Sequence, residues 1–209
     1  MADAAGAGAV RVLTVTISDL RKRHHDEAGK RLDAELALAG LSVVRHVTVA
    51  DEPKFIADLV QRMATNNEAD AIVLTGGTGI NPRDQTFEAL DKLYEKRIDG
   101  FGEAFRRLAF ESMGPRAMFY RASAGVFEQC VIFSLPGNVE SVVLGVRQLI
   151  APTLVASVEM AAGRETHTTG SASARGDRPS TRDLSSATGS VRDVNASAKT
   201  GGDAPPTAT

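Results

Sequence analysis

Two stretches of this chain run an apolar strand directly into a turn built from glycine or proline. They are Ala71-Ile72-Val73-Leu74-Thr75-Gly76-Gly77-Thr78-Gly79 and Cys130-Val131-Ile132-Phe133-Ser134-Leu135-Pro136-Gly137-Asn138. Helical sequence follows each, over 87–95 and 139–150. A strand that feeds a helix through a short turn is half of a parallel crossover, which requires a sheet covered by helices. Turns that lack bulky side chains also gather backbone N–H groups and a positive helix end at one point. Two such points on one sheet edge suit a phosphorylated small molecule.

The rest of the chain repeats the alternation. Residues 11–17 form a β-branched run that reads as a buried strand, and 41–49 reads as a second one. Between them, 26–39 carries Leu32, Leu36 and Ala39 at helical spacing and stops at Gly40. Pro53 opens a helix to about residue 66, at a position where its missing N–H is harmless. A helix follows over 102–112 with Phe105, Leu108 and Ala109 on one face, then short extended pieces over 116–126. Pro152 is expected to open a last, separate helix ending near residue 162. Strands alternating with helices of this length predict a three-layer α/β/α fold with a mostly parallel, Rossmann-like sheet. Ligands then sit beyond the C-terminal strand ends, where both turns fall.

The folded domain is expected over 10–162. Residues 1–9 are small and acidic, without the basic start and apolar run of a secretory signal, and read as a disordered leader. Residues 163–209 are rich in Ser, Thr, Ala, Gly, Arg and Asp, and contain no aromatic residue. Such a tail buries too little to offset an ordering entropy of about 1–2 kcal/mol per residue, and disorder is expected. The Arg175-Gly176-Asp177 triplet within it reads as chance. A net charge of −2 argues against nonspecific nucleic-acid binding. No apolar run of roughly 18 residues is apparent, so no membrane span is expected. The single Cys130 leaves no intrachain disulfide and no thiol cluster for zinc, and its apolar strand marks it as a buried structural thiol. These features together describe a cytoplasmic protein.

Common nucleotide motifs are absent. There is no Gly-x-x-x-x-Gly-Lys-Ser/Thr, and no Gly-x-Gly-x-x-Gly follows the first strand. In the first turn the glycines admit a phosphate close to the backbone, and Thr75 and Thr78 add hydroxyl donors. Asp84 precedes the next helix, where it suits either an N-cap or a Mg²⁺ ligand on a nucleotide. The second turn suits either a plain connection or the other half of the same site.

The ordered set of motifs resembles the MoaB/Mog family of molybdenum-cofactor biosynthesis proteins. The resemblance is carried by Thr16-Ile17-Ser18-Asp19, Asp26-Glu27-Ala28-Gly29, Asp51-Glu52, Thr75 to Gly79, and Arg83-Asp84-Gln85-Thr86. It continues through Asp99-Gly100-Phe101-Gly102-Glu103-Ala104-Phe105-Arg106, Arg121-Ala122-Ser123-Ala124-Gly125 and Leu135-Pro136-Gly137-Asn138. Residues 100–114 look more like the MoaB branch than the Mog branch. The resemblance implies a homo-oligomer, a trimer or a hexamer, that binds molybdopterin and works beside other molybdenum-cofactor enzymes. Active relatives transfer AMP from Mg-ATP to the terminal phosphate of molybdopterin, releasing pyrophosphate. Carried over, the catalytic and Mg²⁺-binding carboxylates are Asp51 and Asp84. The substrate and nucleotide pocket takes Ser18, Asp19, Thr75, Gly76, Gly77, Thr78, Gly79, Pro136, Gly137 and Asn138, with Arg121 as an anion contact. Many relatives carry Pro where this chain has Phe87, and a second Pro in place of Val139.

The physical chemistry agrees with that reaction. Joining two phosphates demands positioning and charge neutralisation rather than a protein nucleophile. Two other readings compete with it: a noncatalytic molybdopterin carrier, and a hydrolase of nucleotide diphosphates. Arg106 and Arg107 read as the solvated face of an amphipathic helix. Arg21-Lys22-Arg23-His24-His25 reads as an exposed loop without a third metal ligand.

Overall fold

The computed structural model describes residues 10–18 and 26–164. The leader, the loop carrying Asp19, His24 and His25, and the tail from residue 165 lie outside the described residues.

Six strands form one sheet in the order β2-β1-β3-β6-β5-β4. β1 (Arg11–Ile17), β2 (Ser42–Val49), β3 (Ala71–Thr75) and β6 (Cys130–Leu135) run parallel. β5 (Ser123–Phe127) and β4 (Lys96–Arg97) extend the sheet in antiparallel pairs. The expected three-layer, mostly parallel fold is therefore the observed one.

Strand alternation sorts the core into its two faces. Val12, Ala71, Val73, Val131, Phe133 and Leu135 point to one side. There they meet α1 (Glu27–Leu38), α4 (Asp99–Met113), α5 (Val139–Gly145) and α6 (Ala151–Ala161). Leu13, Val15, Ile72, Leu74 and Ile132 point the other way, to α2 (Pro53–Thr65) and α3 (Thr86–Asp91). Cys130 opens β6 at the end of the strand opposite its turn, and burial pushes its thiol up to about 12. It is the inert thiol that its apolar strand suggested.

The structure departs from expectation at three places. α4 begins at Asp99, three residues before the expected start, with an acidic side chain in its first turn. The segment expected to be extended from residue 116 begins instead with a 3₁₀ helix, Gly114–Phe119. Gly114 takes φ +70° to end α4, and Pro115 suits the start of the new turn. The third departure is larger, because Pro152 does not separate two helices. A π turn over Val146–Ile150 joins α5 to α6, giving one helical rod from Val139 to Ala161. Proline lacks the N–H for the preceding turn and crowds the carbonyl four residues back, and a widened turn accommodates both effects. By length and composition this rod is long and apolar enough to cross a membrane. Its stripe of Val142, Val146, Ile150, Leu154 and Val158 is buried in the core against the sheet.

Two polar ties position the helices around the sheet edge. Glu35 of α1 is covered by Arg147 of the π turn (2.9 Å) and Arg31 (2.8 Å), and the Arg147 hydrogen bond leads in holding its carboxyl below the usual range. His46 of β2 lies 3.1 Å from Asp33 and 3.4 Å from Asp26, the residue that caps α1. Thr14 of β1 completes this cluster by donating to Asp33 at 2.6 Å. The start of α1 is thereby fixed against β1 and β2.

Phe105 is fully buried beneath α4, with its ring 6.4 Å from that of Tyr120. Truncation to Ala leaves a cavity between helix and sheet. Phe105→Ala is expected to cost about 3–5 kcal/mol of stability, measured by urea denaturation.

Candidate functional site

The ends of β1, β3 and β6 converge on Gly76. Its N–H donates to Leu135 O at 3.1 Å, and Thr75 Oγ1 donates to Pro136 O at 3.1 Å. Gly76 takes φ +107°, and a Cβ there would lie 2.3 Å from Ile17 O. Glycine is required on both counts. Gly137 of the second turn packs against the Gly76 Cα. The two turns expected to share one edge are in direct contact.

On one side of this junction lies a cleft of about 390 Å³. Ser18, Thr75, Gly76, Gly137 and Asn138 line it, as expected of them. Sequence reasoning gave no site role to Thr16, Ile17, Thr48, Asp26, Glu27, Ala28 and Val139, which complete the wall. Thr16, Ile17, Asp26, Glu27 and Ala28 fall in motifs that carry the resemblance, and Thr48 was marked only by its place near the end of a strand. α1 and the long rod both aim their N-terminal ends here. Asp26 accepts from Gly29 N (2.7 Å) and Asn138 from Ser141 N (2.8 Å). Each cap satisfies one N–H of its first turn and leaves the helix dipole directed at the cleft.

The carboxylates stand at the neighbouring turn rather than in the lining of this cleft. Asp51 follows β2, whose last residue is tied to Ser18 by the Ser18 N–H to Val49 O bond of 3.0 Å. Its Oδ1 accepts from Gln85 N at 3.3 Å. Gly77, at φ +63°, leaves the space that Asp51 and Thr86 occupy. Gln85 occupies the cap position of α3, and Asp84 instead accepts from Asn81 N at 3.1 Å. The N-cap reading of Asp84 is therefore excluded. Burial first, then the negative charges of Asp84 and Glu88, push the Asp51 carboxyl above its ordinary value, against the Gln85 N–H. Neither Asp51 nor Asp84 has an ion-pair partner among the described residues. No group of three or more potential ligands is assembled among them. The pair suits a cation such as Mg²⁺ that completes its shell with phosphate oxygens and water.

Arg121 holds the first turn from behind. Its guanidinium donates to Thr78 O (3.2 Å), Gly79 O (2.6 Å) and Asp84 O (3.3 Å), and pairs with Glu88. Phe87 stacks below it, 5.2 Å from ring centre to guanidinium. Phe87 thus supports this arginine. Thr78 and Pro136 are buried in the framework of the turns, and Asp19 lies outside the described residues.

The family model described as "Probable molybdopterin binding domain" matches residues 11–156, nearly all of this architecture. The chain belongs to the MoaB/Mog family of molybdenum cofactor biosynthesis proteins. It is 38% identical over 146 residues to molybdenum cofactor biosynthesis protein B of Bacillus subtilis, covering 69% of this chain and 86% of that protein. A crystal structure of a molybdenum cofactor biosynthesis protein B superposes with a TM-score of 0.71 at 36% identity, over 75% of this chain and 98% of the other. The tungsten cofactor synthesizing protein MoaB of Pyrococcus furiosus gives 0.67 at 30% identity, over 75% and 99%. Both glycine turns of this MoaB/Mog chain lie within the matched region.

A raised native pKa means that the folded state holds the Asp51 proton more tightly than the unfolded chain does. Stability is then lost as pH rises from the ordinary aspartate value of 3.8 through the raised native value. Asp51→Asn removes that loss. Its melting temperature is expected to exceed that of the unmodified protein at pH 7, with the gap closing toward pH 4, in thermal melts across that range.

Proposed function

We propose that this protein is a cytoplasmic molybdopterin adenylyltransferase, moving AMP from Mg-ATP to the terminal phosphate of molybdopterin. The observation that carries the reading is the pair Asp51, which follows β2, and Asp84, both unpartnered by any described cation and set against Gly77 and Gly79 beside a cleft walled by two helix N-termini.

In the proposed step an oxygen of the molybdopterin phosphate forms a bond to the α-phosphorus of ATP. The bond from that phosphorus to the bridging oxygen breaks, and pyrophosphate leaves with the electron pair. The residues have only to hold and shield anions. Ser18 and Asn138 line the cleft, where the Asn138 amide carries N–H donors, and Gly76 and Gly137 let phosphate oxygens approach the backbone. Asp51 and Asp84 would hold Mg²⁺, which when bound supplies positive charge against the phosphates. Thr78 forms part of the turn's frame, and Gly77 and Gly79 give the two carboxylates room. Arg121 acts as a positioning residue, setting the carbonyls of Thr78, Gly79 and Asp84.

Formation of adenylylated molybdopterin from ATP, Mg²⁺ and molybdopterin tests the reading, with ATP alone as the control. The unmodified protein is expected to form product only when the pterin is present. Asp84→Ala is expected to lower turnover by at least 100-fold, with unchanged circular dichroism. Pterin binding without product in the unmodified protein would assign the chain to the carrier class instead. ATP breakdown without pterin would assign it to the hydrolases.

A homo-oligomer, trimer or hexamer, belongs to the same proposal. An apolar groove of about 720 Å³ runs between α4, β4 and α6, lined by Ile98, Phe101, Val126, Phe133, Leu149 and Met160. Met160 is 67% exposed within it. Apolar surface of this kind supports association. Sedimentation of the full chain is expected to give a species of three or six subunits, and Met160→Asp to shift it toward the monomer.

A further inference from the structure

A second cleft, of about 430 Å³, lies on the other side of Arg121. α4, the 3₁₀ turn and the start of β5 enclose it, and Arg97, Arg106, Tyr120, Arg121 and Met118 are among its lining residues. It lies beside the first glycine turn, because Arg121, which lines it, also donates to Thr78 O and Gly79 O of that turn.

The cations of this cleft are not equivalent. Arg121 holds Glu88, and Arg97 holds Asp91 and Asp99. Arg106 has no hydrogen bond or ion pair among the described residues, although it is half-buried. Among the described residues the other half-buried arginines, Arg11 and Arg121, each hold a carboxylate. Glu103, exposed at the rim, does not pair with Arg106. A guanidinium partly withdrawn from water without a partner is a costly arrangement.

Its placement is built into the helix. A Cβ on Gly102 would lie 2.6 Å from Ala122 O and 3.1 Å from Arg106 Nη1. The missing side chain lets α4 close on the β5 segment and lets the guanidinium fold back along the helix into the cleft. Arg106 is thus not the freely solvated residue expected from helical periodicity. Its neighbour Arg107 is, at 84% side-chain exposure.

We propose that this second cleft is an oxyanion subsite in which Arg106 binds a phosphate group of one of the two substrates. A planar guanidinium fork suits phosphate oxygens, and Tyr120 and Met118 offer an apolar surface for the body that carries them. The inference rests on the proposed function only for the source of the phosphate, which is either the nucleotide or the phosphomonoester acceptor. It would add a second anion site to the one at the glycine-turn cleft.

Calorimetric titration of the full chain with Mg-ATP, and separately with inorganic phosphate, tests the subsite without requiring turnover. Arg106→Gln is expected to weaken at least one probe by about 10- to 100-fold. Arg106→Lys should recover part of the loss, and Arg107→Gln should bind as the unmodified protein does. Loss confined to ATP assigns the nucleotide phosphates, and loss confined to inorganic phosphate assigns the acceptor. Unchanged affinity for both probes in Arg106→Gln overturns the proposal. Equal weakening by Arg107→Gln, or altered sedimentation of Arg106→Gln with unchanged affinity, also overturns it. Product formation by the unmodified protein together with unchanged affinity in Arg106→Gln would leave the functional reading intact and remove the subsite. Arg106-dependent binding without any product would do the reverse.

Discussion

The contact between Gly76 and the ends of three strands is the constraint from which the site is built. β1 reaches it through Ile17 O, β6 through Leu135 O, and β3 ends there. The approach leaves no room for a β-carbon and requires a backbone conformation that L side chains rarely adopt. Because of it, the cleft walled by two helices and the loop bearing Asp84 open beside each other rather than at separate points along the sheet. The helices arrive by their own means. α1 is tied through Asp26, His46 and Asp33 to β2, and the long rod is anchored by its buried stripe.

Local stability is sacrificed around this contact. Asp51 is held partly buried near two other negative charges. Thr86 Oγ1 is buried without a hydrogen-bond partner, a condition that costs about 1–3 kcal/mol. Such concentrations of unfavourable groups recur at functional sites, where a bound ligand relieves them. The hydrophobic faces of β3 and β6, fully enclosed between helical layers, offset that cost.

Most of the fold could be read from the chain because its signals are local. Strand alternation, Gly40 and the strand-turn-helix units each act within a few residues, and their sum limits the topology. β4 was not legible: it is two charged residues, Lys96 and Arg97, made a strand only by pairing with β5. The continuity of the rod through Pro152 was not legible either, since proline is a strong local stop signal and packing outweighed it. For the site, the two turns and both carboxylates were apparent as motifs. The distinct roles of Arg106 and Arg121 were not. Identical as letters, one is consumed by carbonyls 37 to 43 residues away in the chain, and the other is left without a partner.

Arg121 grips the first turn through main-chain oxygens and one glutamate. Main-chain oxygens are common to every amino acid. The intervening Ile80, exposed on this loop, is therefore open to drift over evolutionary time without loosening the turn, whereas position 121 is not. Divergence among relatives should collect on the outer rim of this loop, so that surface chemistry around the entrance changes while the shape beneath it is inherited.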